Sequence, residues 1–191
     1  MIRVAVLVAV LAAFSVSELL AETYTIDKGH SAVQFSVRHI VSRTHGRFND
    51  FTGRISYDPA HPAKTAASAT IQVGSIDTDN EKRDGHLKSA DFFDVANHPS
   101  IVFKSISADA QGEQILLSGN LTMHGITKKI ELPVEILGVG VHPMNQKKIV
   151  GLTTEITLKR SDFGVNSWTD AANIVGDEVK VSLTIEAIAA D

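Results

Sequence analysis

The chain has 191 residues, no cysteine and a formal net charge of −4 at pH 7. This length suits a single domain with one core, and the near-balanced charge argues against a nucleic-acid surface or a polybasic membrane surface. The lack of cysteine excludes a disulfide framework, a cysteine nucleophile and a lipid-modified lipoprotein.

The N-terminus has the pattern of a secretory signal. Arg3 supplies positive charge, and residues 4–14 form an apolar run of eleven residues, short of the about 20 needed to span a bilayer. Small residues that suit a cleavage site follow at Ser15, Ser17 and Ala21. We expect residues 1–21 to be a cleaved signal peptide, with cleavage after Ser17 as the alternative. Residues 22–191 are then the mature domain, and the bacterial periplasm is its expected location.

Apolar and polar residues alternate with period two through most of the chain after residue 30. Side chains of a strand point to opposite faces in turn, so each run predicts a strand with one dry face and one wet face. Eight long strands are predicted, at residues 31–41, 47–57, 65–76, 101–107, 114–123, 128–139, 149–160 and 178–188. Many long strands with a single helical segment indicate a β-sandwich or a closed barrel.

One short helix interrupts the strands. Thr78 and Glu81 have the spacing of a capping box, which predicts a helix that begins at Thr78 and ends near Ser89. A connection rich in Phe follows at residues 91–99, and a long polar loop that contains Trp168 precedes the last strand.

The predicted dry faces combine large apolar residues with small ones, namely Gly53, Ala67, Ala69 and Gly119. The interior of an eight-stranded barrel can be filled by side chains or can hold one small ligand. The small residues therefore either leave room for a ligand or make room for neighbouring aromatic rings and sheet bends. The pattern does not decide between these two interpretations.

The sequence contains no strong catalytic or metal-binding motif. Its eight histidines include no pair with the close spacing typical of metal ligands, and there is neither a G-x-S-x-G elbow nor a phosphate-binding loop. The acidic residues near the predicted helix start complement the helix dipole and do not match a calcium loop; they are Asp77, Asp79, Glu81 and Asp84. We therefore expect no metal, no cofactor and no enzymatic activity.

The aromatic residues point instead to an apolar ligand. Phe92 and Phe93 directly follow the predicted helix. Such a pair is usually part of a core, but at the end of a barrel it can line a lipid entrance. A long chain would bind well there, because each buried methylene contributes about 0.8 kcal/mol, and ten contribute about 8 kcal/mol before the cost of association.

Several sequence blocks resemble the YceI-like family. Asp27–Ser31 followed by Val33–His39 is similar to the N-terminal signature of that family. The most specific block is His86–Val95 followed by His98–Ser105. Further similar blocks lie at His45–Phe48, Phe51–Gly53, Gly119–Thr127 and Lys159–Val165, so the resemblance covers the whole predicted mature domain.

This resemblance implies an all-β fold: an eight-stranded antiparallel, lipocalin-like barrel with one short helix insert, exported to the periplasm. It implies the binding or transport of a polyisoprenoid or similar long-chain amphiphile, such as an isoprenoid quinone, a prenyl phosphate or a fatty amide. It also allows a homodimer. The G-x-W signature of true lipocalins is absent, so the likeness to lipocalins is one of shape.

The candidate ligand-binding residues fall into two groups. The apolar lining is predicted to comprise Val33, Phe35, Val37, Phe48, Phe51, Ile71, Val73, Leu87, Phe92, Phe93, Phe103, Leu121, Met123 and Trp168. The head-group candidates near the mouth are Arg38, His39 and Arg160. His39 continues the dry face of the first strand, whereas Arg38 lies on the outer face. Since the chain shows no dense basic mouth, a neutral quinone or fatty amide is favoured over a diphosphate.

Two other functions stay open. An enzyme acting on an isoprenoid lipid would need a polar cluster in one pocket, for example His39, Asp84 and His86. A structural or stress-response barrel would have a filled core with no room for a chain.

Overall fold

The computed structural model of the chain describes residues 21–168 and 174–190. Residues 1–20 of the predicted signal peptide and residues 169–173 of the predicted polar loop lie outside the described residues. The described residues contain eleven β-strands and one α-helix.

The elements follow the chain as β1 (Glu22–Ile26), β2 (Ala32–His39), β3 (Ser42–Phe48), β4 (Phe51–Tyr57), β5 (Ala66–Gln72), β6 (Ile76–Asp77), α1 (Glu81–Lys88), β7 (Ser100–Gln111), β8 (Gln114–Met123), β9 (Ile126–Val141), β10 (Lys148–Lys159) and β11 (Val175–Ala189). Every pairing between these strands is antiparallel. β8 has the predicted bounds, and the other long strands overlap their predicted ranges.

The eleven strands make an eight-stranded barrel because three pairs of short strands are halves of interrupted longer ones. β1 and β2 both pair with β11 and are the two parts of one interrupted strand. In the same way, β4 and β3 are the two parts of the next strand, and β5 and β6 are the two parts of the third. The order continues from β5 through β7, β8, β9 and β10 to β11, and the pairing of β11 with β1 closes the sheet. The predicted eight-stranded antiparallel barrel with one helix is confirmed.

The first hairpin differs from the prediction. Residues 42–46, predicted as a turn, form the start of β3 and pair with β2 along its whole C-terminal half. The turn is limited to Ile40 and Val41, and Ile40 has a left-handed φ of 50°. The predicted strand 47–57 is interrupted at its third residue, where the Asn49 backbone N–H donates to the Ser75 carbonyl at 3.1 Å.

The helix begins at Glu81, and its N-cap is Asn80, whose Oδ1 accepts from the Arg83 backbone N–H at 3.0 Å. The prediction of a capping box at Thr78 is therefore wrong. Thr78 instead donates its hydroxyl to the Asp84 carboxylate at 2.6 Å, which ties the helix to the chain that follows β6. Among the described residues α1 is the only α-helix, and its eight residues are far too few to cross a bilayer.

The barrel interior has a packed half and a hollow half. The half near β1 and the β9–β10 hairpin is filled by side chains that are at most 4% exposed, namely Tyr24, Ile55, Ile115, Leu117, Val150 and Ala187. The other half lies between α1 and the β8–β9 turn, and it contains a cavity.

Some of the small interior residues make room for neighbouring side chains, and others leave room in the cavity. A Cβ at Gly119 would lie 2.5 Å from the Phe103 ring, and one at Gly53 would lie 2.6 Å from Cδ1 of Ile26. These two glycines therefore make room for neighbouring side chains. Ala69, in contrast, lines the cavity and leaves room.

We expect Gly119→Ala to lower the free energy of unfolding by about 1–3 kcal/mol, the usual cost of overpacking a core. The added methyl group would collide with the Phe103 ring and, at 2.7 Å, with the Lys104 backbone carbonyl. Gly138→Ala is the control, because nothing lies within 4 Å of a Cβ built there. Denaturant unfolding measures both changes, and equal losses would contradict the prediction.

Candidate functional site

The hollow half of the barrel encloses an apolar cavity of about 220 Å³. One water molecule needs only about 10–15 Å³, so the cavity has room for part of a long hydrocarbon chain. Its lining consists of Val33, Phe35, Val37, Phe48, Ala69, Ile71, Ile76, Leu87, Phe92, Phe93, Ile101, Phe103, Leu121, Met123, Ile130, Leu132, Ile156, Leu158, Arg160, Val165, Val175, Val179, Val181 and Leu183, and Gln34 borders it although its side chain is exposed. Arg160 is the one charged residue in this set.

Strand β10 shows how period-two alternation positions the lining. Its inward residues begin in the packed half with Val150 and Leu152, pass through Thr154, and continue into the cavity with Ile156 and Leu158. Thr154 is 4% exposed, and its hydroxyl is the one buried side-chain group without a hydrogen-bond partner among the described residues. This hydroxyl marks the level at which the packed core gives way to the cavity.

One end of the cavity is covered by α1 and the connection to β7, residues 81–99, which we call the cap segment. Leu87, Phe92 and Phe93 from this segment line the cavity. The Phe93 ring meets the Phe48 ring edge-on, with centroids 6.2 Å apart and planes at 81°. Such edge-to-face contacts are favourable beyond the area they bury, so the cap segment is anchored to the barrel wall by its aromatic residues.

A second segment, residues 160–168, lies against the cap segment, and we call it the mouth loop. The Ser167 hydroxyl donates to the Asp91 carbonyl. The Trp168 ring packs on His86 and on Phe92, with centroids 4.9 Å and 5.7 Å away. The cap segment and the mouth loop together close this end of the barrel.

Arg160 organises the mouth loop. Its side chain is 7% exposed and donates four hydrogen bonds of 2.9–3.1 Å to backbone carbonyls, those of Val165, Ser167, Val175 and Gly176. Burial lowers the pKa of the guanidinium, and nearby Asp177 acts in the opposite direction. Because arginine stays charged in proteins, this buried cation serves to collect carbonyl groups that would otherwise lack partners.

Eleven of the fourteen residues predicted as apolar lining are brought together around the cavity. Phe51 and Val73 are buried in the core but do not line the cavity. Phe51 lies directly after the interruption between β3 and β4, and Val73 begins a short 3-10 turn where the alternation of β5 ends. Trp168 is 47% exposed and packs outside the cavity on Phe92. Contact of the lining with a ligand stays a prediction.

Of the three head-group candidates, Arg160 alone lines the cavity. His39 is exposed because β2 ends there, beyond the cavity, and its carbonyl accepts from the Ser42 hydroxyl in the hairpin turn. Arg38 points away from the cavity, as the alternation suggests, and one of its Nη atoms donates to the Ile40 carbonyl at 3.1 Å.

Sequence reasoning missed much of the wall contributed by β9, β10 and β11. The missed residues are aliphatic, and they include Ile130, Leu132, Ile156, Leu158, Val179, Val181 and Leu183. Their alternation in the predicted strands was a sufficient signal, because a closed barrel turns the dry face of every strand inward.

The polar residues that an enzyme would need do not converge on the cavity. Asp84 is held by Thr78, and His86 lies against Asp91, with 3.2 Å between His86 Nε2 and the carboxylate. His39 is exposed, and none of these three titratable residues lines the cavity. Among the described residues, the cavity therefore has no group placed for acid–base or nucleophilic catalysis.

A closed barrel with an apolar interior cavity belongs to the class of small-ligand-binding β-barrels. Residues 24–187 match the YceI-like domain family. A UPF0312 protein of Pseudomonas paraeruginosa is 34% identical over 180 residues, which cover 93% of this chain and 92% of that protein. Protein YceI of Salmonella arizonae is 33% identical over 178 residues, which cover 92% of this chain and 91% of that protein. The chain belongs to the YceI-like family.

Solved structures show the same barrel. BcnA of Burkholderia cenocepacia superposes with a TM-score of 0.77 at 27% identity, covering 85% of this chain and 99% of that chain. A polyisoprenoid-binding domain from Saccharophagus degradans superposes with a TM-score of 0.68, covering 90% of this chain and 99% of that chain. Its identity is 18%, so this likeness concerns the fold.

We expect Arg160→Met to lower the free energy of unfolding by about 2 kcal/mol or more, because buried carbonyls that lose a charged donor typically cost about 1–3 kcal/mol each. Lys159→Met is the matched control, since Lys159 is the exposed last residue of β10 and directly precedes Arg160. Denaturant unfolding compares the two variants. If Arg160→Met is no less stable than Lys159→Met, the four carbonyl contacts do not organise the mouth loop.

Proposed function

We propose that the protein binds a long-chain, predominantly apolar lipid in the barrel cavity and carries it in the periplasm. The observation that carries this proposal is the cavity of about 220 Å³, whose lining includes a single charged residue. Apolar side chains that face an unfilled cavity lack partner atoms on one side, which costs dispersion energy. A hydrocarbon chain offsets that cost, whereas water finds few polar partners there.

The fold relatives support a prenyl chain as the ligand. One structural neighbour of this barrel is described as a polyisoprenoid-binding domain. Prenyl chains are branched and apolar, and the wall here is built mainly from the branched side chains of Val, Leu and Ile together with Phe rings.

The head group is proposed to be neutral, as in an isoprenoid quinone or a fatty amide. A diphosphate needs several cations with free donors. At the cavity wall Arg160 is the only cation among the described residues, and four of its N–H groups are directed to backbone carbonyls. Little positive charge is therefore available to an anionic group.

Organic extraction of the protein purified from its native host, followed by mass spectrometry, tests the ligand class. We expect a prenyl or other long-chain lipid at a substantial fraction of the protein concentration. Equilibrium binding to the extracted protein should then favour a prenyl quinone over a prenyl diphosphate of equal chain length. Preference for the diphosphate would overturn the neutral head group, and binding of neither would overturn the carrier function.

A cavity-filling substitution separates binding from stability. Ala69→Leu adds three carbon atoms to the cavity wall, and it should weaken quinone binding tenfold or more, because each displaced methylene contact is worth about 0.8 kcal/mol. Ser68→Leu adds a larger apolar side chain on the exposed face of the same strand and should leave affinity unchanged. Equal affinities of the two folded variants would place the ligand elsewhere.

The periplasmic location rests on the signal-like pattern of residues 1–21. N-terminal sequencing of the protein recovered from a periplasmic fraction should begin at residue 22, or at residue 18 for the alternative cleavage. Recovery of the full-length chain in the cytoplasm would contradict the location. The homodimer allowed by the family resemblance stays a prediction, which sedimentation equilibrium would test.

A further inference from the structure

Three side chains with metal-binding atoms meet beside the cavity end, away from the lipid-facing wall. Asp94 and His98 come from the cap segment, and His124 comes from the turn between β8 and β9. One ligand atom from each residue lies within 4.8 Å of those of the other two, and all three residues are partly buried. The imidazole rings of His98 and His124 have centroids 4.8 Å apart.

Hydrogen bonds to residues outside the cluster orient the side chains of His124 and Asp94. His124 Nδ1 lies 3.2 Å from the Phe163 carbonyl. Since a carbonyl only accepts, Nδ1 carries the proton, and Nε2 keeps a lone pair. A backbone carbonyl bonded to the second ring nitrogen is the usual support of a metal-binding histidine. The Asp94 carboxylate is held in the same way by the Asn97 amide, which donates to Oδ2 at 2.8 Å.

The His98 backbone N–H donates to the Asp94 carbonyl at 2.8 Å and brings these two residues together, but no hydrogen bond between side chains of the cluster is found among the described residues. A second acid–histidine group, formed by Asp27, His30 and Glu186, is different in this respect. There the Asp27 carboxylate and His30 Nδ1 are bonded directly at 2.8 Å, which accounts for their contact as an ion pair.

Left-handed backbone conformations and one glycine allow the three side chains to approach one another. Asp94 and His124 have positive φ angles of 47° and 50°, a conformation that is uncommon for residues other than glycine. At Gly125, where φ is 75°, a Cβ would lie 2.8 Å from Cε1 of His98, so the absence of a side chain there lets the imidazole approach the turn. Backbone strain of this kind is concentrated at functional sites.

We propose that Asp94, His98 and His124 bind one divalent transition-metal ion of the zinc class. Two imidazoles and a carboxylate form a donor set suited to Zn²⁺ and its neighbours, whereas Mg²⁺ and Ca²⁺ prefer oxygen ligands alone. A zinc ion would bind each of these ligands at about 2.0–2.2 Å, and water would fill the remaining positions.

The ion would join two segments that are far apart in sequence. Phe93 and Met123 line the cavity, and each directly precedes a proposed ligand, Asp94 or His124. Metal binding would therefore tie the cap segment to the β8–β9 turn at the covered end of the cavity. The proposal does not depend on the identity of the lipid.

The test uses the full mature chain without a polyhistidine tag, first treated with a chelator and then titrated with Zn²⁺ by calorimetry. We expect one equivalent of Zn²⁺ to bind and to raise the melting temperature. His98→Gln and Asp94→Asn should each weaken Zn²⁺ binding tenfold or more. His45→Gln should not, because His45 is an exposed histidine on β3 outside both acid–histidine groups.

A second readout keeps the test decisive if a variant is poorly folded. Co²⁺ added to the unmodified chain should give the visible absorption of a low-coordinate nitrogen and oxygen site, and one equivalent of Zn²⁺ should abolish it. The proposal is overturned if Zn²⁺ does not bind, if folded His98→Gln binds it as tightly as His45→Gln, or if Co²⁺ shows only its octahedral aqueous spectrum.

Discussion

The structure depends on the closure of one antiparallel sheet. β11 pairs with β10 along one edge and with β1 and β2 along the other, which closes the sheet on itself. Closure brings the dry faces of all the strands to one interior. The side chains of the hollow half do not fill that interior. The Phe103 ring lies against Gly119 and the Phe35 ring lies against Gly46, so both rings stay close to the wall. A ligand cavity is therefore a consequence of how the barrel is closed and packed.

Local sequence patterns predicted the parts of the fold that depend on local geometry. Period-two alternation gave the bounds of β8, and it placed Val33, Phe35 and Val37 on one inward face. It could not show where a long strand is interrupted, because the breaks at residues 49–50 and 73–75 are stabilised by each other through the Ser75 carbonyl and hydroxyl. The helix start was predicted wrongly for a related reason, since the Thr78 hydroxyl bonds to Asp84 and leaves the N-cap to Asn80.

The candidate site was predictable to the extent that it follows strand alternation. The proposed metal-binding cluster was not, because the β7–β8 hairpin separates its residues in sequence, and they meet only when the end of β8 and the cap segment reach the same end of the barrel. The role of Arg160 was hidden for a similar reason. The sequence indicates a cation near the mouth, whereas the fold surrounds it with four carbonyl groups from residues 165–176. Arg160, which the sequence predicted as a head-group residue, thus donates its hydrogen bonds to the protein's own backbone.

The contacts around the cavity also differ in how firmly they close it to the proposed lipid. Separating two adjacent strands such as β10 and β11 would break a ladder of eleven paired positions, each hydrogen bond worth about 0.5–1.5 kcal/mol. Separating the cap segment from the mouth loop would break the Ser167–Asp91 hydrogen bond and the ring contacts of Trp168 with His86 and Phe92, as far as the described residues extend. The contact between these two segments therefore has fewer hydrogen bonds than the β10–β11 ladder. Arg160 ties the mouth loop to the Val175 and Gly176 carbonyls of β11, and Phe93 ties the cap segment to Phe48 on the barrel wall, so each segment has its own anchor on the barrel.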